Sequence, residues 1–129
     1  MVHANQDLVL RGYKAFADGN LPALFALMDG NVTWHIPGNS LISGEYRGHE
    51  QVAGLIAKSA EMTGGTLRFE IKDALANDER VVILATLSAT RQGTAHTQQV
   101  VHLWRVADGK IAEFRGYADD QAAEDRFWS

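Results

Sequence analysis

The sequence predicts an α+β fold in which three helices cover one face of a curved, mainly antiparallel sheet. Apolar residues recur at helical spacing in much of the first half of the chain and at alternate positions in the second half. The pair Asp108-Gly109 separates two long strand-like runs, which is typical of a tight hairpin turn. Helices on one side of such a sheet close it into a cone, and we expect an apolar pocket inside. With 129 residues, the chain is expected to form a single domain over positions 1–129.

Two helices are expected at the start of the chain. The first runs from about Ala4 to Asp18, and a shorter second helix ends near Met28. Asp18-Gly19-Asn20 ends the first helix and caps the second, which has Pro22 in its first turn. The apolar side of the first helix consists of Leu8, Val9, Tyr13 and Phe16.

A short strand, a loop and a third helix follow. Asn31–Ile36 is rich in β-forming residues and is closed by Pro37-Gly38. If Trp34 points to the core, His35 points the other way. Residues 38–48 are predicted to be a loop at the mouth of the pocket, and residues 49–63 return to helical spacing before Gly64-Gly65.

The remainder is predicted to be strands followed by a short helical segment. Alternation predicts strands over 67–72 and 80–90, and the hairpin from Gln98 to Asp120 supplies two more. The last segment, QAAEDRFWS, is expected to pack back on the body through Phe127 and Trp128. One face of the hairpin carries Val100, His102, Trp104, Phe114, Gly116 and Ala118, an apolar wall with one imidazole.

The other face of the hairpin predicts a homodimer. It mixes apolar and charged side chains, so it is too apolar for water and too charged for a core. A subunit interface on this outer, convex side of the sheet satisfies both conditions. The residues are Val101, Leu103, Ile111 and Tyr117, with Arg105, Glu113 and Arg115 among them.

Composition excludes several classes of function. The net charge is −4 with no cluster of Lys or Arg, so a nucleic acid partner is not expected. The chain has no cysteine, hence no disulfide and no thiolate chemistry. There is no leader-like or membrane-spanning run, and we expect no membrane association and a cytoplasmic location. No phosphate-binding or dinucleotide motif is present, so no cofactor is expected.

A metal site is not expected either. His96 and His102 share a strand face but lie roughly 20 Å apart at about 3.3 Å per residue, too far for a common ion. His35 is expected to point away from both.

Several short motifs in this order resemble the nuclear-transport-factor-2-like superfamily, in particular its SnoaL-like and ketosteroid-isomerase-like branch. The resemblance covers almost the whole chain and implies the cone-shaped fold, which hosts both enzymes and binding modules. The motifs are Ala17-Asp18-Gly19-Asn20, Val32-Thr33-Trp34 before Pro37-Gly38, Tyr46-Arg47-Gly48, and the run from Val101 to Val106 with Asp108-Gly109-Lys110-Ile111.

The resemblance implies positions for catalytic groups. In ketosteroid isomerases a carboxylate base precedes the proline that closes the first strand, and Ile36 stands at that position here. Their oxyanion-binding phenol falls on Gly12, with Tyr13 about 100° away on the same helix. Their protonated acid falls on His102, which also matches the histidine of SnoaL-like cyclases.

The cyclase acid falls on Gly116. If the last strand continued straight, Asp120 would lie on the inward side, about 13 Å beyond Gly116 at about 3.3 Å per residue, near the rim of the pocket. Asp120 is therefore a candidate catalytic acid, and the alternative for Asp119 and Asp120 is capping of the final helical segment.

His102 is the principal catalytic candidate, because imidazole titrates near neutrality. The alternative is a core histidine hydrogen-bonded to the backbone or to a neighbouring ring. Tyr46 either offers its hydroxyl to the pocket or covers the edge of the core. The predicted pocket residues are Phe16, Trp34, Ile36, Tyr46, Val100, Trp104, Phe114, Gly116 and Ala118.

Two functions remain open at this point. The chain binds a small lipophilic molecule and catalyses acid-base isomerisation or cyclisation of a carbonyl or polyketide-like compound, or it is a non-catalytic binding or dimerisation module of the same fold. The vacant acid positions at Ile36 and Gly116 favour the second, and His102 among aromatic side chains favours the first.

Overall fold

A computed structural model describes residues 2–129. The elements in chain order are α1 (Ala4–Ala17), α2 (Leu21–Ala26), β1 (Met28–Ile36), β2 (Gly44–Arg47), α3 (Gly48–Thr63), β3 (Arg68–Ala76), β4 (Arg80–Arg91), β5 (Thr94–Ala107), β6 (Lys110–Ala118) and α4 (Gln121–Phe127). None of the helices in this part of the chain is long and apolar enough to cross a membrane.

The architecture confirms the predicted α+β class. The six strands form one sheet in the order β2-β1-β6-β5-β4-β3. All neighbouring strands are antiparallel except β1 and β6, which are parallel. The helices α1, α2 and α3 pack on one face, and the core between helices and sheet contains fully buried side chains from both layers, among them Val9, Val32, Val52, Ile83 and Ile111.

Local signals placed the first helices as expected. Asn20 caps α2 through its side chain, which accepts a hydrogen bond from the Ala23 backbone N–H. The hairpin turn between β5 and β6 has positive φ angles at Asp108 (53°) and Gly109 (75°), the conformation that an Asp-Gly pair tolerates.

Several predicted boundaries are wrong. The predicted loop over residues 38–48 contains the strand β2, whose Tyr46 pairs with Trp34 of β1. The second helix ends at Ala26 instead of near Met28, and β1 begins at Met28, which pairs with Ile111 of β6, instead of at Asn31. Strand β3 continues to Ala76 instead of ending at residue 72, and β5 begins at Thr94 instead of Gln98, because both pair with β4 over these residues.

Ile111 was predicted on the outer face of the hairpin and is instead completely buried. The pairing register of β5 and β6 shifts between Arg105 and Val106, so that Arg105 faces Glu113 but Val106 faces Ile111. The extra residue is Ala112. A one-residue bulge reverses which face the following side chain occupies, and Ile111 therefore joins the core.

Candidate ligand-binding site

A cavity of about 150 Å³ lies between the helices and the inner face of the sheet. This volume holds a benzene-sized ring, and because the cavity is partly open to solvent, a longer molecule can extend out of it. All the predicted pocket residues except Tyr46 line it, namely Phe16, Trp34, Ile36, Val100, Trp104, Phe114, Gly116 and Ala118. The cavity therefore offers a mainly aromatic and aliphatic surface to a small molecule.

Strand alternation and register place His102 in this cavity. His102 on β5 faces Gly116 on β6, and Trp104 beside it faces Phe114. Because Gly116 has no side chain, β6 places no side chain beside the imidazole at this position. A Cβ at position 116 would meet Phe114 Cζ and Pro37 Cδ at 3.5 Å, which is ordinary contact. The strand register thus pairs His102 with a residue that leaves the cavity wall free of a side chain.

Three side chains form a hydrogen-bonded chain across the cavity wall. Trp104 Nε1–H donates to the Tyr13 hydroxyl oxygen over 3.0 Å. Indole is only a donor, so the hydroxyl is the acceptor in this bond. The hydroxyl proton of Tyr13 is then free to be donated to His102 Nδ1, which lies 2.5 Å away.

This arrangement selects the tautomer of His102. Nδ1 accepts a hydrogen bond from the Tyr13 hydroxyl, because the reverse direction would leave the hydroxyl proton without an acceptor. The ring proton of the neutral imidazole therefore resides on Nε2. Nε2 has no hydrogen-bond partner among residues 2–129. It is not fully enclosed, because the fully enclosed side-chain nitrogen without a partner in this part of the chain is Nε1 of Trp34. His102 thus presents an unpartnered N–H to the cavity.

Burial keeps both groups neutral. His102 is 7% exposed, and burial lowers its pKa to about 3. Burial also raises the pKa of Tyr13 above its ordinary value, and the Trp104 hydrogen bond opposes this only in part. Rings of Phe69 and Phe114 stand edge-on to the imidazole at 5.1 and 4.9 Å between centroids. At neutral pH His102 is therefore a hydrogen-bond donor, and it is a poor base.

Tyr13 lines the cavity although the sequence did not predict it among the pocket residues. The resemblance puts the phenol of the ketosteroid isomerases at the position of Gly12, which lines the cavity without a polar side chain. The signal was present, because Tyr13 shares an apolar helical face with Val9 and Phe16. A phenol on that face points to the core and needs a buried partner.

The other predicted polar residues lie elsewhere. Asp120 does not line the cavity, and its Oδ1 accepts from the Ala123 backbone N–H as the N-cap of α4. Strand β6 ends at Ala118 and the chain turns into α4, so the straight continuation assumed for Asp120 does not occur. The Tyr46 hydroxyl donates to the Ile42 carbonyl over 2.7 Å and is not part of the cavity wall.

A second polar group lines the cavity at the end formed by α4. Glu124 is 8% exposed, and its two carboxylate oxygens accept hydrogen bonds from His96 Nε2 at 2.7 Å and Trp128 Nε1 at 2.9 Å. Gln121 and Asp125 line the cavity beside it. No motif in the sequence pointed to Glu124, because its partner His96 lies on a different element.

Among residues 2–129, no three His, Asp or Glu side chains are arranged to hold a metal ion. His35, on the outer face, contacts Glu113 at 3.1 Å and is separated by the sheet from His102.

Comparison with known proteins gives a consistent picture. A model of the SnoaL-like domain matches residues 9–114. The uncharacterized protein Rv0034 of Mycobacterium tuberculosis is 32% identical over 127 residues, which is 98% of this chain and 97% of the relative.

Solved structures agree over the full length. Bal32a, from a soil-derived mobile gene cassette, is 31% identical with a TM-score of 0.94 and covers 98% of this chain and 97% of its own. TerC, co-crystallised with polyporic acid, is 25% identical with a TM-score of 0.86, over 98% of this chain and 100% of its own. Other structures with this fold are described as NTF2-like or ketosteroid isomerase-like, which confirms the resemblance seen in the sequence.

Proposed function

The chain belongs to the SnoaL-like domain family, and from that premise we propose that its cavity binds a small lipophilic carbonyl compound whose oxygen accepts a hydrogen bond from His102 Nε2. The observation that carries the proposal is the hydrogen bond from Tyr13 to His102 Nδ1, which leaves the ring proton on Nε2. The structurally similar protein TerC was co-crystallised with polyporic acid, and this supports a small organic ligand for the cavity.

The surroundings of His102 suit a carbonyl oxygen better than a charged group. The apolar walls would desolvate an ion, whereas a carbonyl brings only an acceptor. A typical hydrogen bond contributes about 0.5–1.5 kcal/mol net, and a ligand that supplies the acceptor to Nε2–H gains that free energy. A hydrocarbon of the same shape gains contact with the walls but leaves Nε2–H unpaired.

Catalysis of isomerisation or cyclisation is the second candidate. The observation that favours it is the neutral donor itself, because a fixed N–H in apolar surroundings stabilises an enolate oxygen. Enolisation also requires a base that removes a proton. The positions at which related enzymes carry a carboxylate are occupied here by Ile36 and Gly116, which cannot act as that base. Binding therefore ranks above catalysis.

The test compares a ketone with its hydrocarbon analogue. We expect 2-acetylnaphthalene to bind about tenfold more tightly than 2-ethylnaphthalene by titration calorimetry, as one hydrogen bond predicts. In His102→Leu this preference should vanish. Tyr46→Phe is the matched control, because the hydroxyl of Tyr46 bonds to Ile42 outside the cavity, and the preference should persist.

Equal affinity of the wild-type protein for the two compounds would refute the proposed donor role. Turnover decides between binding and catalysis. Hydrogen-deuterium exchange at the methyl group of 2-acetylnaphthalene, accelerated by the wild-type protein and not by His102→Leu, would establish enolisation and favour the enzyme.

We also propose that the outer face of the sheet forms a homodimer interface. Leu84, Val101 and Tyr117 are neighbours across three adjacent strands, since Val101 pairs with both of the others. Their exposures are 37%, 36% and 49%. A continuous exposed apolar row of this kind is typical of an interface between subunits.

The mass in solution tests the dimer. We expect twice the chain mass of 14.2 kDa at micromolar concentration by light scattering or solution scattering. Val101→Arg should shift the protein to the monomer. Leu41→Arg introduces the same charge at a more exposed leucine (53%) outside this face and should leave the dimer intact. A monomer mass for the wild-type protein would overturn this proposal.

A further inference from the structure

We infer that the cavity takes an elongated apolar molecule with opposite polarity at its two ends, an acceptor at His102 and a hydroxyl or amine donor at Glu124. The inference rests on the proposed function, because hydrogen bonding to His102 orients the molecule. It adds the chemical class of the ligand end that contacts Glu124. The family resemblance implied no residue for recognising that end.

The Glu124 carboxylate has capacity for a ligand donor. Its two oxygens together offer about four lone-pair positions, and His96 and Trp128 use one on each oxygen. These two bonds hold the carboxylate in place at the cavity wall. A fixed, nearly buried acceptor in contact with a cavity binds a hydroxyl or ammonium group more strongly than an exposed carboxylate does.

The remaining polar groups at this end strengthen the selection for donors. Asp125 is a second carboxylate, held by the Asn39 backbone N–H at 3.0 Å and by Gln121 Nε2 at 2.9 Å. No lysine or arginine in the described part of the chain lines the cavity. A ligand carboxylate at this end would meet two like charges, and no lysine or arginine of the described cavity wall would compensate them.

The two polar groups lie at different points along strand β5. Glu124 bonds to His96, which precedes His102 on that strand, so it lies on the side of the cavity away from His102. Glu124 therefore recognises a distant part of the ligand and does not serve as the missing base beside His102.

The experiment uses three naphthalenes that share one acetyl group. The probes are 2-acetylnaphthalene, 6-acetyl-2-naphthol and 6-acetyl-2-naphthoic acid, titrated at neutral pH. We expect the naphthol to bind about tenfold more tightly than 2-acetylnaphthalene, because a hydrogen bond to a charged acceptor has this magnitude. The naphthoate should bind at least about tenfold more weakly than 2-acetylnaphthalene.

Variants of α4 separate recognition from packing. Glu124→Gln should reduce the advantage of the naphthol to about threefold or less, while 2-acetylnaphthalene keeps its affinity within about twofold. Asp120→Ala is the matched control, because it weakens the same helix by removing its N-cap but leaves the Glu124 carboxylate in place. The advantage of the naphthol should survive in this control.

Failure of the inference and failure of the proposed function give different results. If 2-acetylnaphthalene binds with the ketone preference but the naphthol gains nothing, or keeps its gain in Glu124→Gln, the inference is overturned and the proposed function stands. If the ketone preference itself is missing, both fall. Should Glu124→Gln not fold, equal binding of naphthol and naphthoate to the wild-type protein would overturn the inference.

Discussion

Lowering the pH should destabilise the protein through His102. Burial lowers the pKa of His102 to about 3, compared with 6.5 for an ordinary histidine. Between these values the unfolded state binds a proton at this site that the folded state does not bind. The free energy of unfolding therefore falls as the pH decreases below about 6.5, by about 1.4 kcal/mol per pH unit.

The magnitude is large compared with the stability of a small domain. Integrated from pH 7 to pH 4, the contribution of His102 amounts to a loss of about 3 kcal/mol. Domains of this size are stable by only about 5–15 kcal/mol, so the loss is measurable by denaturant titration. Of the rings that stand against the imidazole, Tyr13 alone titrates, and its pKa is raised. It adds no charge in this range.

Urea unfolding of the wild-type protein and His102→Gln at several pH values measures the effect. The difference between the two proteins cancels the contributions of the other ionisable groups. We expect the free energy of unfolding of the wild-type protein to fall by about 3 kcal/mol relative to that of His102→Gln between pH 7 and pH 4. His102→Leu packs differently but does not titrate either, so it should show the same pH slope with a different intercept. A difference that does not depend on pH would refute the assignment of a buried neutral imidazole.

Three further substitutions test the site. Tyr13→Phe leaves His102 Nδ1 and Trp104 Nε1 unpaired, and we expect a loss of about 1–3 kcal/mol in urea unfolding; no loss would contradict the hydrogen-bonded chain. Gly116→Leu fills the space opposite His102, so binding of 2-acetylnaphthalene should fall at least about tenfold while circular dichroism stays native. Undiminished binding would place the ligand elsewhere. In Gly38→Ala, at φ +90°, the new Cβ would collide with Asp125 Oδ1, and a thermal midpoint lower by several degrees is expected; an unchanged midpoint would contradict this contact.

The parts of the fold that were predictable are those in which local pattern and tertiary structure agree. The alternation in the hairpin placed His102, Trp104 and Phe114 on the inner face, and the structure puts them there. The Asp-Gly turn and the Asn20 cap depend on a few adjacent residues, so the sequence contains the complete signal. These features were sufficient to predict a cavity with an imidazole in its wall.

The remaining features depend on contacts between distant residues. The short strand β2 has no apolar alternation of its own and exists because it pairs with β1. The burial of Ile111 follows from a bulge that only the pairing register reveals. Tyr13 and His102 lie on different elements, as do Glu124 and His96, and single-sequence patterns do not encode such partners. The cavity was therefore predictable, but its hydrogen-bonding groups were only partly so.

The parallel pairing of β1 with β6 has a consequence for folding kinetics. It joins Trp34 to Phe114, residues from opposite ends of the chain, and both line the cavity. Forming such a contact costs more chain entropy than closing the β5–β6 hairpin, so the pair is expected to form late. The cavity is then incomplete in the transition state. A ligand that fills it should slow unfolding and leave the folding rate almost unchanged.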